Sequence, residues 1–489
     1  MPDPKSFPST LCNNAADPRA RECSVTNANS SDTSDAGQID EKEWKSEIVR
    51  IESTQPPDTD LDETHSRLLT KKQLSEMAWG VRELSRRLGT VRLKFKIKTI
   101  FVLTKPYDQE LIPKTRALIR WLLDKERDVR YTVYIDKALR SNMKFDAPGL
   151  IEEVRRDYVE SGEISEEAGN DISQRLRYWD EELCRARPHT ADFVITLGGD
   201  GTVLFASWLF QRIVPPVLSF ALGSLGFLTK FDFDNYQETL TAAFTEGVNV
   251  ALRLRFEGTV MRCQKKRRKL VKDGSDKEKE EEEERKRDLV EELIGEEKDD
   301  ERTHRPDGTY DVLNEVVVDR GPNPSKSSSF HFTRIGDHTT NLCLQAMSSI
   351  DIFGDDEHFT SVHADGICVS TPTGSTAYNL GAGGSLCHPE NPVMLVTAIC
   401  AHTLSFRPII LPDTIVLRIG VPYDARTGSW ASFDGRERIE LRPGDYVTIS
   451  ASRYPFASVQ MQGKRSEEWI KSINAKLGWN TRQKQKSFT

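Results

Sequence analysis

One acidic side chain set among glycines is the sharpest chemical feature of this chain. In Leu197-Gly198-Gly199-Asp200-Gly201-Thr202 a strand-like run, Asp192 to Leu197, gives way to a helix-like run, Thr202 to Ile213. In an open parallel sheet, the edge where strands end and helices begin is where ligands bind. Glycines at 198, 199 and 201 let the backbone turn tightly and approach a ligand closely, and a helix N-terminus offers unpaired N–H groups and a dipole that favours phosphate. A lone carboxylate beside phosphates would handle a proton or orient a hydroxyl or a metal. The alternative is a tight turn in which Asp200 or Thr202 only caps the helix.

A second polar constellation opens at Asp365-Gly366, crosses a strand, and continues as Ser370-Thr371-Pro372-Thr373-Gly374-Ser375-Thr376-Ala377-Tyr378, with Gly381-Ala382-Gly383-Gly384 beyond. Hydroxyls and amides at this density, with one aromatic, suit the polar edges and flat base of a nucleotide. Ser and Thr also close turns and cap helices generally, so an inert loop is the competing reading. Asp434-Gly435 reads as a hairpin turn between two strands.

The elements that must position these residues fall into two groups. Leu74, Met77, Ala78, Val81, Leu84 and Leu88 share one helical face that stops near Gly89. Strands at Thr99 to Leu103, Tyr131 to Ile135, Asp192 to Leu197 and Val217 to Phe220 then alternate with helical runs at Leu111 to Leu123, Ile172 to Leu183 and Thr202 to Ile213. That rhythm predicts an N-terminal α/β domain with a mostly parallel sheet. Beyond about Gln237 strands follow one another without long helices: Ala251 to Met261, Tyr310 to Val318, Ser329 to Arg334, Cys343 to Met347, Ile367 to Ser370, Thr414 to Ile419 and Tyr446 to Ser450. These predict a C-terminal β-rich, sandwich-like domain.

The expected organisation is a disordered tail over 1–65, the α/β domain over 66–236, the β-rich domain over 237–455, and a helical segment over 456–489 that packs back on the first domain. The tail is rich in Ser, Asp, Asn and Thr and poor in aromatics, too polar to offset the entropy of ordering. A Lys/Glu block within 264–306, including KEKEEEEERKRD, lacks apolar periodicity and reads as a flexible surface insertion.

Totals narrow the partners. The formal net charge of -8 argues against a general binder of nucleic acid or anionic membranes. Eight cysteines are scattered singly from Cys12 to Cys400 with no C-x-x-C pair, which fits reduced thiols rather than a zinc site or a disulfide framework. The opening residues carry neither a secretory nor an organelle presequence pattern, and the longest apolar runs, such as Val393 to Ile399, are strand-sized. A cytoplasmic location is expected.

Four ordered motifs, spread over about Thr99 to Ser450 with the insertion excepted, resemble the NAD kinase family: GGDGT at Gly198 to Thr202, LGSLGFLT at Leu222 to Thr229, LNEVVVDRG at Leu313 to Gly321 and DGICVSTPTGSTAY at Asp365 to Tyr378. GGDG-type lipid kinases share the first motif but are not expected to carry the last, and a non-catalytic NAD(P)-binding sensor would have no need of Asp200. The resemblance implies phosphorylation of the adenosine 2′-hydroxyl of NAD by ATP with Mg2+, in a homo-oligomer. It implies that Asp200 is the catalytic group for that hydroxyl, with Gly198, Gly199, Gly201 and Thr202 on the phosphate side. Asn314 and Glu315 would bind the ribose and its neighbours, Asn314 having the alternative of a turn residue. Asp365, Thr373, Thr376, Ala377 and Tyr378 would contact the dinucleotide, and Phe227 would lie beside it or belong to the core. A hydroxyl is common just after the Tyr in the family, and this chain has Asn379 there. His402 falls in a stretch similar to a structural segment of the family and is expected to be buried and satisfied.

Overall fold

Ile100-Phe101-Val102-Leu103 is apolar at every position and buried at every position, and a strand of that kind needs cover on both faces. In the computed structural model, which describes residues 65–162, 170–223, 226–264, 287–295, 300–321, 347–403, 405–460 and 465–479, it has that cover. Ile100 and Val102 pack with Leu84 and Leu88 of the helix Lys71–Thr90 and with Leu118 and Ile119 of the helix Leu111–Leu122. Phe101 and Leu103 point the other way, onto Val203, Ala206 and Leu209 of the helix Asp200–Leu209.

The sheet that carries this strand comprises β1 (Thr99–Leu103), β2 (Thr132–Asp136), β3 (Leu176–Trp179), β4 (Phe193–Leu197), β5 (Val217–Ala221), the short β6 (Phe231–Asp232), β7 (Asn249–Arg253) and a strand from far along the chain, β20 (Phe456–Gln460). Their order is β3-β2-β1-β4-β5-β20-β7, with β6 beside β5. Every pair is parallel except β20 with β7. The chain proceeds from β1 to one side through β2 and β3, then returns to the other side of β1 with β4 and β5. The order therefore reverses between β1 and β4, and the crevice at their C-terminal ends is where such sheets bind ligands.

Two antiparallel sheets form the rest. One holds β8 (Phe256–Cys263), β9 (His304–Val312), β11 (Ser348–Gly354), β12 (Glu357–Ala364), β16 (Leu417–Gly420) and β19 (Tyr446–Ala451) in the order β12-β11-β16-β19-β8-β9. The other holds β10 (Glu315–Asp319), β13 (Gly366–Ser370), β14 (Val393–Ile399), β15 (Ile409–Pro412), β17 (Ser429–Phe433) and β18 (Glu437–Leu441) in the order β15-β14-β13-β10-β17-β18. Val260, Ile352 and Val447 of the first meet Val316, Val369 and Phe433 of the second in one core, the arrangement of a sandwich. The mixed α/β sheet followed by antiparallel β-layers is the expected fold class.

Several elements differ from the sequence reading. The expected helix Ile172 to Leu183 is broken into Asn170–Arg175 and Glu181–Ala186 around β3. Leu176 and Trp179 are buried, and β3 pairs with β2 from Val133↔Leu176 to Asp136↔Trp179. Apolar residues three and four apart imitate a helix there, and edge pairing overrides the pattern. The run Ala251 to Met261 is divided between β7 and β8, and Tyr310 to Val318 between β9 and β10, so that each crosses from one sheet to another. Phe456–Gln460 is a strand of the first sheet, and the helix that follows is Arg465–Leu477.

Within 264–306, residues 265–286 and 296–299 lie outside the described set, but Leu289–Ile294 is a helix. Leu289 and Leu293 are buried against Met261, Phe353 and Tyr446. Two leucines four residues apart make one anchoring face, each contributing about 1.5–3 kcal/mol on burial, although the flanking charges hide it in the sequence. The expected tail up to residue 64, the strand Ser329 to Arg334 and all but the end of Cys343 to Met347 also fall outside the described residues. Among the described residues no helix is long and apolar enough to cross a membrane.

Candidate active site

Asp200 is the first residue of its helix, and the residue before it, Gly199, offers no side-chain cap. The Asp200 carboxylate turns away from the helix end. Its Oδ1 accepts from the Leu228 and Thr229 backbone N–H groups at 2.9 and 3.1 Å and from Thr229 Oγ1 at 3.3 Å, whereas Oδ2, among the described residues, accepts only from Phe227 N–H at 2.8 Å. The capping alternative for Asp200 therefore fails. Gly226 makes the approach possible, because a Cβ there would fall 2.0 Å from Asp200 Oδ1. Gly198 is held at φ 144°, and a Cβ on it would meet Thr202 Oγ1 at 2.5 Å. At Gly199 and Gly201 a Cβ would meet nothing within 4 Å among the described residues, which leave the helix N-terminus open in front of the loop. Phe227 is half-buried and serves through its main chain, while its neighbour Leu228 belongs to the core.

A second carboxylate does the same for another segment. Asp434, in the hairpin turn between β17 and β18, adopts a left-handed φ of 49°. Its Oδ2 accepts from Leu313 N–H at 2.8 Å and its Oδ1 from the Asn314 and Glu315 N–H groups at 2.9 and 3.0 Å. The turn is as expected; the grip on residues 313–315 is not visible in the sequence. This grip fixes the point where the chain passes from β9 to β10, and it presents Asn314 and Glu315 side by side. Both are nine-tenths buried, and Asn314 Oδ1 and Glu315 Oε2 have no hydrogen-bond partner among the described residues.

The polar loop after β13 rests on this segment. Thr371 Oγ1 donates to Leu313 O at 2.6 Å, Thr371 N–H donates to Asn314 O at 2.8 Å, and a Cβ on Gly374 would strike Asn314 O at 2.4 Å. Thr376 Oγ1 donates to Thr373 O at 3.3 Å and Ala377 N–H to Gly374 O at 2.8 Å, closing the turn that exposes Tyr378. Asn379 turns inward: its Oδ1 accepts from Thr397 Oγ1 at 2.8 Å and its Nδ2 donates to Ser385 O at 3.1 Å, a structural role for the position after the tyrosine.

One bridge joins the glycine loop to these segments, and a second joins β7 to the polar loop. Arg436, next to the Asp434 turn, lies 4.5 Å over the Phe205 ring and donates to Gly201 O at 3.5 Å. Arg253, at the end of β7, donates from Nη1 to Thr373 Oγ1 at 3.4 Å. Asp200, Asn314, Glu315 and Thr373 to Tyr378 thus border one region. Asp365 lies just before β13, at the opposite end of that strand from Thr371, with its carboxylate 3.1 Å from Arg320 and within electrostatic reach of the Tyr378 phenol. The Tyr378 phenol is pushed up by burial, and further by the neighbouring acidic groups Asp319, Cys368, Cys400 and Asp365. His402 is exposed rather than buried, because it leaves the sheet just after Cys400, a left-handed residue at φ 49°. Sequence reasoning missed Asp434, Arg436, Arg253 and the buried Lys230. Asp434, Arg436 and Arg253 are single residues whose partners are remote in the chain, and for Lys230 the one signal is its place directly after the LGFLT motif.

Known proteins share this arrangement of motifs. Residues 100–248 match the ATP-NAD kinase N-terminal domain and residues 342–461 the ATP-NAD kinase C-terminal domain. A NAD(+) kinase of Saccharomyces cerevisiae is 39% identical over 420 residues, spanning 86% of this chain and 67% of its own. The chain belongs to the NAD kinase family. An ATP-NADH kinase of the same yeast is 35% identical over 413 residues, spanning 84% of this chain and 70% of its own. A crystal structure of yeast NADH kinase complexed with NADH superimposes with a TM-score of 0.55 at 25% identity, covering 80% of this chain and 90% of that one.

In this NAD kinase family member Glu315 is electrostatically distinct. Burial pushes its carboxyl up to about 8, the nearby Asp434 charge adds to the shift, and a hydrogen bond from the Tyr378 backbone N–H offsets part of it. Near neutral pH it is a protonated donor. A carboxyl raised in the fold costs no stability below its ordinary value near 4.5, and an increasing amount between there and about 8, where the unfolded chain ionises and the fold does not. Glu315→Gln is therefore expected to raise the melting temperature above the wild type by a margin that widens from pH 5 to pH 8 and then levels, reflecting on the order of a few kcal/mol. Thermal melts across that range check it, and a margin independent of pH would contradict it.

Proposed function

We propose that this chain transfers the γ-phosphoryl group of ATP to the adenosine 2′-hydroxyl of NAD, giving NADP. The observation that carries the reading is the pairing of an open glycine loop, headed by Asp200, with the orphaned buried acceptor and carboxyl of Asn314 and Glu315. A ribose supplies the hydroxyls such groups lack. ATP and NAD are the substrates named for the matched family domains.

In this reading Gly198, Gly199, Gly201 and Thr202 receive the phosphates at the helix N-terminus. Asn314 and Glu315 take the ribose; Thr373, Thr376, Ala377 and Tyr378 line the dinucleotide, with Phe227 beside it and Asp365 as an outer group. Asp200 Oδ2, which accepts one amide among the described residues, offers a lone pair to the 2′-hydroxyl. The hydroxyl oxygen bonds to the γ-phosphorus, the bond to the bridging oxygen breaks with its electron pair leaving on ADP, and the hydroxyl proton passes to Asp200. Magnesium would arrive with ATP, held chiefly by the phosphate oxygens it commonly takes; among the described residues no group of three or more His, Cys, Asp or Glu side chains could hold a metal ion of its own. A homo-oligomer in the cytoplasm completes the reading, supported by the scattered cysteines and by closed symmetry as the usual state of such enzymes.

The test is to incubate the full chain with NAD or NADH and with ATP or polyphosphate in turn. Product is detected with a dehydrogenase that accepts only the 2′-phosphorylated dinucleotide, with diacylglycerol and sphingosine as control acceptors. Product from NAD with ATP is expected; product from a lipid alone would reject the reading.

A further inference from the structure

Two buried cations remain unused by the chemistry above. Lys230 directly follows Thr229, one of the residues that hold the Asp200 carboxylate, and Arg253 closes β7; each is only 7% exposed. The backbone N–H of Lys230 is fixed to the carbonyl and hydroxyl of Ser219 in β5, both at 3.2 Å, so its side chain starts from a rigid point beside the glycine loop. The Lys230 ammonium has no hydrogen-bond partner among the described residues. Arg253 reaches Thr373 on the opposite side. Burial is the main influence on the Lys230 ammonium, lowering it to about 8; the like charge of Arg253 adds to this, and Glu468, on the helix Arg465–Leu477, and Asp200 oppose it. The two cations thus sit in one another's field, between the carboxylate that addresses the acceptor and the loop that lines the dinucleotide.

Removing an ammonium from water costs several kcal/mol unless an anion compensates. The helix N-terminus and the glycines already provide for the inner phosphates of a triphosphate. What lies between Asp200 and Thr373 is the place where donor and acceptor meet. We propose that Lys230 and Arg253 form a clamp for the transferring phosphoryl group, holding the γ-phosphate of the nucleoside triphosphate before transfer and the new sugar phosphate after it. The assignment rests on the kinase reading above. Charge on the equatorial oxygens must be stabilised in a loose transfer, and two fixed cations in a water-poor site do this without reorganising.

The experiment uses the full chain with Lys230→Met, Arg253→Met and Lys230→Arg. Each of the methionine variants is expected to lower kcat/KM for ATP by about 10–100-fold, mainly through kcat; Lys230→Met leaves the NAD dissociation constant nearly unchanged, whereas Arg253→Met, which loses the bond to Thr373, also weakens NAD, and Lys230→Arg is expected to restore most of the Lys230→Met loss. Calorimetric titration with inorganic tripolyphosphate, without NAD, is expected to show binding to the wild type that is weakened about tenfold in Lys230→Met. Unchanged turnover and tripolyphosphate affinity in Lys230→Met would overturn the clamp, and so would an equal loss of NAD and tripolyphosphate affinity. If the wild type makes no NADP, the kinase reading fails, while the tripolyphosphate titration still decides whether the clamp exists. Should Lys230→Met fail to fold, Lys230→Gln and Arg253→Met take its place: tripolyphosphate affinity must fall about tenfold in each, and wild-type affinity in both would overturn the assignment.

Discussion

Asp200→Asn is expected to lower turnover by about 10²–10⁴-fold while leaving NAD binding largely intact. The substitution removes the group that would receive the 2′-hydroxyl proton. It also sets an amide nitrogen or a single carbonyl oxygen against the N–H groups of Phe227, Leu228 and Thr229, which the carboxylate now satisfies. Loss of activity alone would not separate these effects. Gly226→Ala does so: its new Cβ would fall 2.0 Å from Asp200 Oδ1, so the loop must shift while the carboxylate is retained. If Asp200 acts chemically, Asp200→Asn loses at least about tenfold more kcat than Gly226→Ala. Equal losses in the two variants would reduce Asp200 to a support for the 226–229 segment. Steady-state kinetics with saturating ATP, paired with NAD titrations, decide between the two outcomes.

Arg255→Met is expected to cost about 3–5 kcal/mol of folding stability. Arg255 is fully buried at the crossing from β7 to β8. Its guanidinium donates to Ser207 O and Phe210 O at 3.2 and 2.9 Å, to Gln211 O and Arg212 O at 3.1 and 2.9 Å, and to Tyr454 O. These carbonyls include the C-terminal end of the helix that begins with Asp200, where a positive charge is favoured by the dipole. Methionine fills the volume but leaves the carbonyls without donors and Asp311 without its neighbouring cation. Urea unfolding would register the loss as a lower midpoint at unchanged slope. Arg255→Lys should recover little of it, because an ammonium cannot reproduce a planar fork of donors. A variant as stable as the wild type would show that the carbonyls are satisfied in another way.

The chemistry was more legible in the sequence than its supports. Glycines at 198, 199 and 201 around one acid announce a phosphate loop because no other residue type lets a backbone come so close, and the hydroxyl-dense stretch from Ser370 to Tyr378 is equally visible. The parallel sheet was readable because β1, β2, β4 and β5 are short, mostly apolar runs set between helical ones. What escaped was decided by tertiary partners. Asp434-Gly435 declares a turn, but nothing near it tells that its carboxylate holds residues 313–315. Tyr310 to Val318 looks like one strand because β-branched residues continue across Asn314, and only the competition between two sheets divides it. Leu289 and Leu293 were hidden by charges on either side, and β3 by a spacing that suits a helix as well as a strand.

β20 has a consequence for how the molecule comes into being. It lies between β5 and β7, although 456–460 is separated from both in the chain by all of the antiparallel layers. As the polypeptide leaves the ribosome, the nucleotide-facing half acquires most of its strands early and then has an unfilled slot until the closing segment has been synthesised. Such an open edge is an invitation to pair with other chains. The order of synthesis therefore leaves the earlier-made strands dependent on one made after all the antiparallel layers, and a truncation ahead of Phe456 is expected to yield aggregates rather than an independent half-enzyme.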